Sequence, residues 1–211
     1  MLDLDNTVAD REASFAAWLA EFKEEHGLPR DACDWIVDVD NDGYADRVEV
    51  FQAIRDRLEL DPSVEQLLAK YQARVVELAR PTPGALACLR QMRNRAWTLA
   101  LVTNGSSGQQ QGKIDVLGIR HLFDVVCVSA EVGVKKPLPE IFEMAADQAG
   151  HPLSDSWMVG DSPLNDIGGG QRLGMKTAWL SRGRRWPEGE SPPSVSISSL
   201  KDLVPAIDRD R

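Results

Sequence analysis

Cysteine and histidine are scarce in this chain of 211 residues, which has three of each. The cysteines lie far apart and form no CxxC pair, so we expect buried, reduced thiols and no disulfide or thiolate metal site. No histidine has a partner at the spacing of zinc ligands, which favours structural or surface roles. The residues concerned are Cys33, Cys88, Cys127, His26, His121 and His151.

Long apolar runs and an excess of basic charge are also missing. No run approaches the roughly 18 residues of a membrane span, and the acidic N-terminus does not start like a signal peptide. A net charge of −9 argues against a nucleic-acid partner or an anionic membrane. A small phosphate ligand remains compatible with that charge, since one cationic pocket suffices. We expect a cytoplasmic protein, monomeric or homodimeric.

Residues 11–79 show no strand pattern. Phe15, Trp18, Leu19 and Phe22 recur at helical spacing, and Gly27 ends that segment. Further helices are predicted around residues 32–37, 46–58 and 63–78. We therefore interpret residues 11–79 as a helical domain.

After Arg80 the pattern changes to short apolar strands that alternate with helices. Such strands are typical of a parallel sheet that is covered on both faces. The fold predicted is an α/β, doubly wound, Rossmann-like core of residues 1–10 and 80–211, with an α-helical domain inserted. The predicted strands are residues 1–4, 97–102, 124–128, 157–159, 176–180 and 195–197, and a helix is predicted at 164–173.

Polar side chains follow four of these strands. In an open parallel sheet, ligands bind beyond the carboxyl ends of the strands, so these side chains should meet at one edge. A surface Asp-Asn turn remains the alternative for the first pair. The residues are Asp3 and Asp5, then Thr103, Asn104 and Gly105, then Lys136, and finally Asp161 and Asp166.

The chemistry of this set indicates a phosphoryl group beside a hard cation. A cluster of aspartates without His or Cys suits Mg²⁺ best. Thr103, the amides of Asn104 and Gly105 and one lysine can hold a tetrahedral anion. One of the first two aspartates could then attack phosphorus while the other transfers protons.

The same residues resemble the four motifs of the haloacid dehalogenase superfamily. Asp3-Leu4-Asp5-Asn6-Thr7 is similar to DxDxT, and Leu101-Val102-Thr103-Asn104-Gly105 is similar to the second motif. Lys136-Pro137 resembles the third, and Gly160-Asp161 through Asp166 resembles GDxxxxD. The motifs occur in order, and the match extends over nearly the whole chain.

This resemblance implies a role for each residue. Asp3 would be the nucleophile that forms an aspartyl-phosphate, and Asp5 the acid and base. Thr103 and Lys136 would bind the phosphoryl group. Mg²⁺ would be held by Asp3, the backbone carbonyl of Asp5 and Asp161, with Asp166 close by. Residues 11–79 would be a cap that closes over the site, excludes water and contacts the leaving group.

Asp5 favours a phosphatase, because the dehalogenases themselves lack this second aspartate. We expect Mg²⁺-dependent hydrolysis of a small phosphorylated metabolite, a phosphoric monoester. A phosphomutase would need the same pair of aspartates. A catalytically silent binding protein on this fold is the alternative from another class.

One loop of the helical domain fits the EF-hand formula from Asp38 to Glu49. It lacks a second loop to pair with, so we favour an Asp-Gly turn that caps a helix near Asp46. Arg47 could contact substrate, although a solvated helix arginine is the plainer interpretation. Gly112-Lys113 lacks the glycine of a P-loop, and Lys135 is expected to be solvated.

The sequence also leads to predictions for both ends of the chain. The resemblance implies that the first strand is central, with the second and third strands on one side and the fourth and fifth on the other. Only Met1 and Leu2 precede Asp3, whereas a central strand usually has about five or six residues. We expect either a start further upstream or a shortened strand that an apolar extension would stabilise. Residues 208–211 are expected to fray.

Overall fold

The computed structural model describes residues 1–209 of the chain. It divides into two compact units, one formed by Met1–Asp10 with Arg80–Arg211 and the other by Arg11–Ala79. Of the residues expected to fray, Asp208 still belongs to the final helix, while Asp210 and Arg211 lie outside the described residues. No helix in the described part is long and apolar enough to cross a membrane.

Residues 11–79, all of which the structure describes, contain helices and no strand. The side chain of Asp46 accepts from the amides of Val48 and Glu49 at the start of α3, and Ser63 and Gln66 form a capping box at the start of α4. The helix expected at 32–37 is longer than predicted. The four α-helices are α1 Arg11–His26, α2 Arg30–Asp40, α3 Arg47–Arg57 and α4 Val64–Glu77.

Aromatic rings fill the interior of this helical unit. Trp18 of α1 stacks on Phe22 with ring centroids 5.0 Å apart and meets the edge of Tyr71 at 4.8 Å. Phe15 and Phe51 lie 5.5 and 5.8 Å from it. The apolar spacing along α1 thus predicted a buried face, since Phe15, Trp18, Leu19 and Phe22 are all buried.

The other unit contains the parallel sheet. Its strands pair in parallel, the first with the second, the third with the fourth and the fourth with the fifth. The strands are β1 Ala100–Thr103, β2 Val125–Val128, β3 Trp157–Gly160, β4 Lys176–Leu180 and β5 Val195–Ile197.

The N-terminal segment joins the two halves of the sheet, and Leu2 is the residue that pairs with both. Leu2 bridges to Leu101 of β1 on one side and to Val159 of β3 on the other. Its amide donates to Ala100 O at 2.8 Å, and the amide of Asp3 donates to Val159 O at 2.9 Å. The central place expected for this segment is confirmed, but the segment forms isolated bridges where a strand over 1–4 was predicted.

Helices cover both faces of the sheet. Alternate residues of β1 belong to different apolar clusters, with Leu101 in one and Val102 in the other. The same holds for Val159 and Met158 of β3, which confirms the doubly wound core. The helices are α5 Ala85–Asn94, α6 Ser107–Val116, α7 Ser129–Val132, α8 Pro139–Ala149, α9 Gly169–Arg172 and α10 Leu203–Arg209.

Two predicted elements have different bounds. The strand expected at 97–102 begins only at Ala100, because Ala96 takes a left-handed φ of 56° and the Leu99 amide is bonded by the Asp124 carboxylate. The helix expected at 164–173 opens as a π-helical turn, Pro163–Gly168, before α9. The three cysteines are free, as predicted, with Cys88 and Cys127 buried and Cys33 half-buried.

Candidate active site

Asp3 and Asp5 lie on a tight loop directly after the Leu2 bridges. The carbonyl of Leu4 accepts from the amides of Thr7 and Ala9 at 3.2 and 2.8 Å, which closes the loop. Asn6 has a φ of 58°, a left-handed conformation that asparagine adopts more easily than most residues. The loop therefore fixes both aspartates at the carboxyl edge of the sheet.

Lys136 contacts two of the predicted site carboxylates. Its Nζ donates to Asp3 Oδ1 at 2.6 Å and to Asp166 Oδ1 at 2.7 Å, and its side chain is 2% exposed. The Asn104 side chain holds the Lys136 backbone, since its Nδ2 donates to Lys136 O and its Oδ1 accepts from Lys136 N. Asn104, predicted as a substrate ligand through its amide, thus also positions the lysine.

Three buried carboxylates meet at this edge. Asp3, Asp161 and Asp166 each offer one oxygen, and these oxygens lie within 4.8 Å of one another. Asp166 is held in place from the other side, because its Oδ2 accepts from the Ser162 amide at 2.9 Å. Three oxygen donors without nitrogen or sulfur suit a hard divalent cation such as Mg²⁺.

The pKa shifts of these groups reflect burial first and repulsion between the carboxylates second. Burial raises the pKa of Asp3 well above its usual value, against the lowering effect of Lys136. Burial and then Asp166 raise the pKa of Asp161 to about 6. Burial lowers the pKa of Lys136, but Asp166 and Asp3 outweigh it, so that pKa lies above its ordinary value. A bound cation would relieve this repulsion, so the residues fit the magnesium predicted for them.

Two arginines that the sequence reasoning missed hold Asp161. Arg182 Nη1 and Arg184 Nη2 both donate to Asp161 Oδ2, at 3.0 and 2.9 Å, and Arg184 also contacts Asp161 O. Trp179 Nε1 donates to the same carbonyl at 2.9 Å. The sequence feature that could have predicted them is the run of arginines after the strand that ends at Leu180, because residues that follow this strand lie at the same sheet edge.

Thr103 is the last residue of β1, where it was predicted to follow the strand, and Gly105 lies two residues beyond it. Both already have partners. Thr103 is fully buried, and its Oγ1 accepts from Gln110 Nε2 at 2.6 Å. The amide of Gly105 donates to Ser129 Oγ at 3.0 Å. In this arrangement the Gly105 amide is therefore engaged by Ser129 and is not presented to an anion, contrary to the sequence-based expectation.

The side chain of Asp5 is not part of the cluster of Asp3, Asp161 and Asp166. Its two oxygens accept from Lys113 Nζ at 2.6 and 2.8 Å, and Oδ2 also accepts from Gln110 Nε2 at 3.1 Å. This leaves only its backbone carbonyl for the metal role that the resemblance implies. The surroundings of Asp5 thus differ from those of Asp3, as is expected for two carboxylates with different catalytic tasks. The pairing with Lys113 was not predicted.

The acidic loop of the helical unit serves that unit's own packing. Asp40 is 2% exposed, and its Oδ1 accepts from Arg11 and from Arg47, each at 2.6 Å. Its Oδ2 accepts from the Gly43 amide, which makes the expected Asp-Gly turn. Calcium at this loop would have to displace both arginines from Asp40. Arg47 is not a solvated helix arginine, since it is ion-paired and its side chain is 23% exposed.

Comparison with known proteins identifies relatives over most of the chain. The model of the family described as haloacid dehalogenase-like hydrolase matches residues 1–180. Pyrimidine 5'-nucleotidase YjjG of Escherichia coli is 38% identical over 155 residues, which are 72% of this chain and 67% of the relative. Glyceraldehyde 3-phosphate phosphatase of Pyrococcus abyssi is 30% identical over 220 residues, covering 99% and 92%.

A solved structure supports the same fold. The putative HAD-hydrolase YfnB of Bacillus subtilis, described as bound to magnesium, superposes with a TM-score of 0.82. The superposition covers 98% of this chain and 96% of that one, at 24% identity. At this identity the similarity establishes the fold alone.

Proposed function

Because this chain belongs to the haloacid dehalogenase-like hydrolase family, we propose that it is a Mg²⁺-dependent phosphatase acting on a small phosphorylated metabolite. The observation that carries the proposal is the buried cluster of Asp3, Asp161 and Asp166 with Lys136 bonded to two of them. A carboxylate that can act as nucleophile, a set of carboxylates that can hold a cation and a buried lysine lie together at one sheet edge, and this combination supports phosphoryl transfer.

Asp3 is the proposed nucleophile. A carboxylate oxygen of Asp3 attacks phosphorus, and the bond from phosphorus to the ester oxygen breaks. Lys136 neutralises the phosphoryl oxygens, and Thr103 binds the same group. Asp3, Asp161, the Asp5 carbonyl and Asp166 would hold Mg²⁺, which supplies further positive charge for the phosphoryl group when bound.

Asp5 is the proposed acid and base. It donates its proton to the leaving alcohol oxygen in the first step. In the second step it takes a proton from water while the water oxygen attacks phosphorus and the bond to Asp3 breaks. Free phosphate leaves, and both aspartates return to their starting states.

Replacing the nucleophile tests this function. In Asp3→Asn the amide cannot form the aspartyl-phosphate, so hydrolysis of p-nitrophenyl phosphate with Mg²⁺ should fall at least about 10³-fold. Asp155→Asn changes an exposed aspartate of the same unit and should keep the wild-type rate. Wild-type turnover by Asp3→Asn would contradict the mechanism.

The substrate is sought among phosphorylated metabolites. A panel should include pyrimidine 5'-nucleotides and glyceraldehyde 3-phosphate, the compounds in the names of the relatives. We expect release of inorganic phosphate from at least one member. Transfer to another hydroxyl of the substrate without phosphate release would indicate a phosphomutase, and no turnover of any member would favour a silent binding protein. The helical unit, as the proposed cap, would select among them.

A further inference from the structure

We propose that Lys113 and Gln110 of α6 are positioning residues that hold the Asp5 carboxylate in its working orientation. This inference rests on the proposed function, because it assigns a task to two residues beside the proposed acid and base. Neither residue belongs to the four motifs from which the site was predicted.

The contact between Lys113 and Asp5 is an ion pair between a buried lysine and a half-buried carboxylate. Lys113 Nζ reaches both oxygens of Asp5, at 2.6 and 2.8 Å. The Lys113 side chain is 6% exposed, and that of Asp5 is 27% exposed. A lysine is costly to bury without a partner, so the geometry commits its charge to Asp5.

Gln110 ties the same carboxylate to β1. Its Nε2 donates to Asp5 Oδ2 at 3.1 Å and to Thr103 Oγ1 at 2.6 Å. Its Oε1 accepts from Lys113 Nζ at 3.1 Å, so each residue orients the other. Gln110 and Lys113 are three residues apart and therefore lie on one face of α6.

This network restrains the two bonds about which an aspartate side chain rotates. A proton donor must point at the leaving oxygen, and a displacement of about 1 Å can cost about 10²-fold in rate. Both Asp5 oxygens are held by Lys113, whereas Lys136 and Asp161 belong to the separate cluster around Asp3. Loss of Lys113 should therefore impair proton transfer at Asp5 and leave the carboxylate cluster intact.

The experiment compares two esters that differ in their need for an acid. Phenol is a poorer leaving group than p-nitrophenol, so phenyl phosphate depends more on the proton from Asp5. In Lys113→Met we expect the ratio of kcat/KM for p-nitrophenyl phosphate to that for phenyl phosphate to rise on the order of tenfold above wild type. A merely structural defect would lower both values alike.

Two comparisons sharpen the result. Lys135→Met makes the same change at an exposed lysine and should leave the ratio at its wild-type value. If Lys113 acts through Asp5, the double variant Asp5→Asn with Lys113→Met should be no slower than Asp5→Asn alone. Additive losses in the double variant would overturn the positioning role.

The possible failures are distinguishable. Inactive wild-type protein, or an active Asp3→Asn variant, overturns the proposed function, and the positioning role falls with it. An active wild type with an unchanged ratio in Lys113→Met overturns the positioning role alone. Should Lys113→Met fail to fold by circular dichroism, Gln110→Leu takes its place, with the same rise expected and the same unchanged ratio as refutation.

Discussion

The two compact units of this chain both have apolar cores but differ in the aromatic and charged side chains that they bury. The helical unit, Arg11–Ala79, buries aromatic rings around Trp18, with centroid distances of 4.8 to 5.8 Å. The α/β unit buries charged groups at one sheet edge, namely Asp3, Lys113, Lys136, Asp161 and Asp166. Packed rings stabilise a fold, whereas clustered like charges destabilise it unless they are compensated.

Asp40 is an example of a buried charge with a structural role. Its carboxylate is bonded by two arginines and one backbone amide, so its charge is more than balanced within the helical unit. The Asp3 cluster has three carboxylates around Lys136, with Arg182 and Arg184 on Asp161 alone. Both places pair buried carboxylates with cations, and the candidate site differs because three carboxylates come together there.

The largest effect on stability is expected in the helical unit. Trp18→Ala removes the central ring and should lower the free energy of unfolding by about 3–5 kcal/mol, because the cavity cannot be filled by its neighbours. Denaturant titration followed by circular dichroism measures this. Trp35→Ala is the control, since Trp35 is only half-buried and lies under Arg57 at 4.3 Å, and it should cost about 1 kcal/mol. Equal losses in both variants would contradict a Trp18-centred core.

A smaller loss is expected from a methyl group at the charged cluster. A Cβ at Gly160 would collide with the side chain of Asp166, which cannot move aside because Lys136 and the Ser162 amide hold it. Gly160→Ala should lower stability by about 1–3 kcal/mol and reduce hydrolysis. Thermal melting and kcat measurements check both effects.

Gly108 provides the matched control for this substitution. A Cβ there meets nothing within 4 Å, and the residue lies in α6. Gly108→Ala should raise stability by about 0.5–1 kcal/mol with activity kept. A Gly160→Ala variant as stable and active as Gly108→Ala would show that the Asp166 position is not restrained.

The smallest effect is the pH dependence of stabilisation by Mg²⁺. The folded-state pKa of Asp161 is raised to about 6, so the metal-free protein loses stability as pH rises through that value. Mg²⁺ needs the ionised carboxylates and should offset this loss. The rise in Tm on adding Mg²⁺ should therefore be larger, by about 3–5 °C, near pH 7.5 than near pH 5. Asp161→Asn should reduce the difference, and Asp3 accounts for what remains because its pKa is raised too. A Mg²⁺ effect that shrinks with rising pH would contradict the account.

The sequence predicted the elements that depend on local pattern and strand-end chemistry. β4 and β5 have the predicted bounds, and Asp3, Asp161 and Asp166 meet because parallel strands share an edge. The central place of the N-terminal segment was expected from the resemblance. That the segment pairs through isolated bridges of Leu2, and not as a full strand, depends on tertiary hydrogen bonds.

Side-chain pairings between distant segments were beyond the sequence pattern. Lys113 and Asp5 are 108 positions apart, and only the fold brings α6 against the N-terminal loop. The same holds for Arg182 and Asp161, and for Asp40, whose EF-hand-like spacing concealed an arginine pair. Residue spacing indicates which residue types follow each strand, but the tertiary fold determines which side chains become partners.

The most direct test of the central claim is to trap phosphorylated Asp3. Asp5→Asn lacks the base for the second step, while p-nitrophenolate leaves without an acid, so this variant should accumulate the aspartyl-phosphate. After acid quenching, mass spectrometry of the N-terminal peptide should find one phosphoryl group on Asp3 of Asp5→Asn and none on a variant that also carries Asp3→Asn. A phosphoryl group on another residue, or its retention in the double variant, would contradict the account.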